Sequence, residues 1–133
     1  MLYFQVMYRR KQRGFTLIEM LIALLIMSVA IALTTFVVGA VKSSRDSTYE
    51  SVASRVADSK LNELRAGGYA ALPASGSFSD PALSSLPQGA ASTTVSSWNS
   101  KTKQVTTGVS WRGSDGSTRY VSFTTLVTET GGL

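Results

Sequence analysis

From Phe15 to Val41 the chain runs 27 residues with a single ionisable side chain, Glu19. As a helix rising about 1.5 Å per residue, this run spans about 40 Å. A bilayer core takes about 20 residues, so the segment is long enough to cross one. The carboxylate is the anomaly. Within a membrane-spanning helix it costs about 2.5–3.5 kcal/mol on insertion scales, so a retained Glu19 is expected to have a function and a partner. Arg9, Arg10, Lys11 and Arg13 stand just before the run. Positive residues favour the cytoplasmic side, which predicts a cytoplasmic N-terminus, a single pass through the inner membrane and everything after Val41 outside.

The six residues Gly14-Phe15-Thr16-Leu17-Ile18-Glu19, behind a short basic leader and ahead of the apolar run, resemble the processing and methylation signature of type IV pilins and pseudopilins. The pseudopilins include those of type II secretion and of DNA-uptake machines. The resemblance covers Arg9 to about Val41. It implies a prepilin peptidase and methyltransferase as partner, with Gly14 the last leader residue and Phe15 the N-methylated mature N-terminus. It also implies that Glu19 pairs with the α-amino group of a neighbouring subunit as helices bundle into a filament core. Pairing is physically apt, because a buried carboxylate without a cation costs far more than a paired one. Other pilin or pseudopilin subunits and an assembly platform in the membrane are the further partners implied. Many family members close a loop of the head with a disulfide, and many carry a proline in the buried half of the helix. This chain has no cysteine, and no proline interrupts Phe15 to Ala66.

Net charge is +5, but four of the thirteen Lys and Arg precede Gly14. Cleavage there leaves nine cations against eight carboxylates, so the basic balance is mainly a topology signal. The apolar stretch Met1–Tyr8 is odd for a leader, and a start at Met7 gives a compact one. An ordinary secretory signal cleaved near Val38-Gly39-Ala40 is a rival reading. Its apolar core is expected to be about 7–15 residues, far shorter than the run here.

Beyond Val41 the pattern turns amphipathic. Tyr49, Val52, Ala53, Val56, Ala57, Leu61 and Leu64 recur at spacings of three and four, which puts them on one helical face. Ser51, Ser54, Arg55, Asp58 and Asn62 take the other face, with Arg55–Asp58 and Lys60–Glu63 placed as i,i+3 ion pairs. Gly67-Gly68 is a stop signal. One helix of about 50 residues is therefore expected. Residues 67–90 are rich in Gly, Ala, Ser and Pro and read as a connection, pinned by Tyr69, Leu72, Phe78, Leu83 and Leu86. Strands follow at Ala91–Trp98, Gln104–Arg112 and Thr118–Thr128. The last two are joined by Gly113-Ser114-Asp115-Gly116-Ser117 with its Asp-Gly turn signal. In the second strand Val105, Thr107, Val109 and Trp111 share one face.

The expected fold is α+β: a long N-terminal helix, half membrane and half amphipathic, packed on a small antiparallel three-stranded meander. That is also the pilin-like arrangement the resemblance implies. The expected segments are a leader (1–14), a transmembrane or filament-core helix (15–41), an amphipathic half-helix (42–66), a connection (67–90) and a β head (91–133).

With no His and no Cys, imidazole and thiolate chemistry is excluded, and with it the usual nucleophile and metal sites. No cofactor, metal site or enzymatic activity is expected. Ser114-Asp115-Gly116-Ser117 offers one carboxylate, too few for a tight calcium site. Lys101, Lys103, Arg112 and Arg119, with Trp98 or Trp111, form a candidate nucleic-acid patch. The rival interpretation is solvated edge charge that deters strand pairing. The leading expectation is a structural subunit, a minor pilin or pseudopilin of a type IV pilus or type II secretion-like filament. The alternative is a membrane-anchored or tip module that binds DNA, a surface or an exported substrate.

Overall fold

The computed structural model describes residues 14–130. The basic leader and the suggested start at Met7 lie outside the described residues. The chain divides into two compact units, residues 1–39 and 40–133. One helix, α1 (Leu17–Gly67), runs through both.

In the first unit α1 buries nothing. Every described residue up to Gly39 is exposed, including Phe15, Leu24, Ile26 and Phe36. Its first turn is set by Thr16, whose carbonyl accepts from the Glu19 and Met20 N–H groups at 3.1 and 3.2 Å. The Thr16 hydroxyl also accepts from Glu19 N–H at 3.3 Å. The helix accordingly starts two residues after Phe15.

The second unit contains the remainder of α1 and a four-stranded antiparallel sheet in the order β1-β2-β3-β4. The strands are β1 (Gly76–Phe78), β2 (Ala90–Asn99), β3 (Thr102–Arg112) and β4 (Thr118–Thr128). The expected three-stranded meander is therefore β2 to β4, and the count is corrected to four. The extra strand lies in the segment read as a connection. Three residues between Ser75 and Ser79 are too few to show an alternating pattern. They pair with β2 through Gly76↔Thr93, Ser77↔Ser92 and Phe78↔Ala91. The turn between β2 and β3 is tighter than expected, because Asn99 already pairs with Thr102. That leaves only Ser100 and Lys101 outside the strands.

The stripe on α1 covers one sheet face. Ala53, Val56, Ala57, Leu86, Ala91, Val109 and Trp111 form one buried cluster, and Leu61, Leu64, Val105 and Val127 form a second. The alternation read in β3 is correct, since Val105, Thr107, Val109 and Trp111 are all buried. The five loop anchors also pack as read: Leu86, Phe78 and Leu83 in the first cluster, Tyr69 and Leu72 against the second. α1 stops where Gly68 takes φ +77°, a value that side-chain-bearing residues rarely adopt. Of the two expected helical ion pairs, Lys60–Glu63 forms at 3.0 Å. Asp58 instead accepts from Asn62 at 3.2 Å.

Candidate functional site

Gly14, Phe15, Thr16 and Glu19 gather at the start of α1 around an open hollow. A Cβ built on Gly14 meets nothing within 4 Å, so the glycine is not required by packing. Thr16-Leu17-Ile18-Glu19 has the spacing of a capping box, in which a hydroxyl residue and a Glu three positions on satisfy the first free N–H groups of a helix. The Thr16 hydroxyl makes its half of this box by accepting from the Glu19 N–H, a capping role that the spacing alone signals and the sequence reading missed. The Glu19 residue is exposed, and none of the ion pairs among the described residues includes it.

The candidate nucleic-acid residues do not form one cluster. Lys101 sits in the β2–β3 turn, and Lys103 lies at the start of β3 with its ammonium 4.6 Å from the Tyr69 ring centre. Arg112 ends the same strand, nine residues on, or about 30 Å at about 3.3 Å per residue. There its Nε donates to the Gly116 carbonyl at 2.9 Å. Arg119 pairs with Asp46 at 3.1 Å and with Asp115 at 3.5 Å, which offsets its charge. Trp111 is buried, whereas Trp98 is 62% exposed.

Asp46, on α1, is the polar residue the sequence reading overlooked. Its Oδ1 accepts from the Ser114 N–H at 2.9 Å and from the Ser114 hydroxyl at 2.7 Å, while its Oδ2 holds Arg119. The helix is thereby clasped to the β3–β4 hairpin loop. The Ser114 N–H, then its hydroxyl, hold the Asp46 carboxyl below the usual carboxylate range, helped by Arg119. Asp115 is lowered in the same way, chiefly by the Ser117 hydroxyl and N–H. Gly116, at φ +81°, supplies the turn conformation that this loop requires. Asp115 is thus committed to the turn, as read. The guanidinium of Arg119 spans the two carboxylates, and no group of three or more metal-binding side chains occurs among the described residues.

Compared with known proteins, residues 9–40 match the family model of the prokaryotic N-terminal methylation motif. That motif is typical of type IV pilin and pseudopilin precursors, and it covers about a quarter of this chain. An α1 packed on a small antiparallel sheet agrees with the pilin-like α+β fold. Neither the curated proteins nor the solved structures compared give a match.

Proposed function

We propose that this chain is a structural subunit, a minor pilin or pseudopilin. In this reading it is cleaved between Gly14 and Phe15, methylated on Phe15 and assembled into a type IV pilus or type II secretion-like filament. The observation that carries the reading is the methylation motif at the head of α1, whose apolar stretch up to Gly39 is exposed. Among the described residues nothing covers that surface. A bilayer first, and then the helices of neighbouring subunits, supply the cover. The precursor is a single-pass inner-membrane protein with its N-terminus cytoplasmic and its head outside. Glu19 pairs with the new amino group of a neighbour. The partners are a prepilin peptidase and methyltransferase, fellow subunits and the assembly platform. The DNA-binding alternative has no specific observation behind it, since its four cations stand at opposite ends of β3.

The test is the intact mass and N-terminal sequence of the protein from its own membranes. The expected product begins at N-methylated Phe15, and Gly14→Val is expected to keep the leader. Because a side chain at Gly14 meets open space, an uncleaved variant reports on the peptidase and not on folding. A product beginning at Val41 would mean a secreted domain, and an intact leader in the unaltered protein would mean a plain anchor.

A further inference from the structure

The head carries a cleft of about 300 Å³ bordered by Lys42, Arg45 and Tyr49 of α1, Gln88 before β2, and Arg112 and Ser114 at the end of β3. No carboxylate lines it. The nearest along α1, Asp46, is taken by Ser114 and Arg119. None of the ion pairs among the described residues involves Lys42, Arg45 or Arg112. Arg112 is held in place by the Gly116 carbonyl, yet its charge is not offset. Three cationic residues that line one cleft make it a place where an anion is favoured.

The place of these cations along α1 specifies the anion. Met20 to Val41 is 22 residues without a charged side chain, about 33 Å of helix, close to the thickness of a hydrocarbon core of about 30 Å. Lys42, Arg45 and Tyr49 then follow about 1.5, 6 and 12 Å beyond Val41. A headgroup layer is about 5–7 Å deep on each side, so the first two cations stand within it or at its rim. Tyr49, farther along, lies past that layer and packs against the first core cluster. Cations just past the translocated end of a span run against the positive-inside bias. A guanidinium fork also matches the oxygen geometry of a phosphate.

We propose that the cleft formed by Lys42, Arg45 and Arg112 binds the phosphate of an anionic phospholipid headgroup in the leaflet facing the head. This rests on the membrane-spanning reading of α1 given above. Held there, the lipid fixes how far the head stands from the bilayer before the subunit is extracted into a filament.

The test reconstitutes the full chain into vesicles of equal parts phosphatidylcholine and phosphatidylglycerol, then extracts it mildly and identifies co-purifying lipid by native mass spectrometry. The unaltered chain is expected to retain phosphatidylglycerol selectively. Lys42→Gln with Arg45→Gln is expected to lower that selectivity about thirtyfold, or about fivefold per cation. Lys42→Arg should keep it, as should Arg55→Gln, which removes one charge elsewhere on the same helix. Equal selectivity in the double variant overturns the proposal. So does displacement of the lipid by inorganic phosphate or by a short DNA duplex, which would make the cleft a general phosphate or nucleic-acid site. Alkaline extraction of the same vesicles separates the two levels of failure. A chain that washes off refutes the membrane reading and the lipid site together, whereas an inserted chain without selectivity refutes the lipid site alone.

Discussion

Among the described residues, three buried polar atoms have no hydrogen-bond partner: the hydroxyls of Thr93 and Thr107 and the indole N–H of Trp111. Thr93 and Thr107 face each other across β2 and β3, and Thr107 has no exposed surface. An unpaired buried hydroxyl is unfavourable, and Val has nearly the same shape as Thr. Thr107→Val is therefore expected to stabilise the protein by about 1 kcal/mol, read from denaturant unfolding. A loss of stability would mean that the hydroxyl is bonded in solution. Sequence reading placed Thr107 on the inner face from the period-two pattern. It had no means of showing that the hydroxyl would lack a partner, because that depends on what α1 presents opposite it.

The elements themselves were largely legible. The stripe from Val52 to Leu64 and the alternation from Val105 to Trp111 are periodic signals, and periodicity survives without knowledge of the partner surface. β1 was not legible, since three residues have no period. The Asp46 clasp was not legible either, because it joins positions 68 residues apart. Two alanines set the contact between helix and sheet: Ala53 and Ala57 are fully buried, and both lie in the first core cluster. Ala57→Leu is expected to overpack this contact and cost about 1–3 kcal/mol, measured by the shift in unfolding midpoint. The clasp predicts an acid limb. Asp46 and Asp115 have lowered folded-state pKa values, so their stabilisation is complete above the ordinary carboxylate value of about 3.9. It is withdrawn as the pH falls from there through the lowered values. Asp46→Asn should lower the thermal midpoint near neutrality and flatten its decline below about pH 4. An unchanged acid profile in that variant would remove Asp46 from this account.

At the scale of the whole molecule, Glu19 discriminates between two uses of one residue. As part of a capping box it is replaceable by Gln, which fills the same position. As the cation's partner in an assembled filament it is not. Glu19→Gln is therefore expected to insert into membranes normally yet fail to enter filaments, to the same degree as Glu19→Ala. Head stability should not change, because the hydrogen bonds given by Glu19 lie within the first turn of α1. Rescue of assembly by Gln would leave capping as the whole of its role. The motif from Gly14 to Glu19 was legible because it is short and contiguous, and the methylation family model matches across it. The cationic cleft was not legible, because Lys42 and Arg112 meet only once the sheet has folded back on α1.

Both core clusters draw on α1 and on β3, and this has a consequence for synthesis. Val56 is made 53 residues before its partner Val109. At about 5–20 residues per second, the stripe on the helix waits about 3–10 s for its cover. The sheet forms quickly once its strands exist, because each pairs with the next through short turns. The vulnerable interval therefore falls before β3 emerges, when the apolar helical face from Val52 to Leu64 already exists with nothing to pack on. A folding helper that acts on this protein would have to recognise Val52 to Leu64 as a bare helix, and release it when β3 arrives.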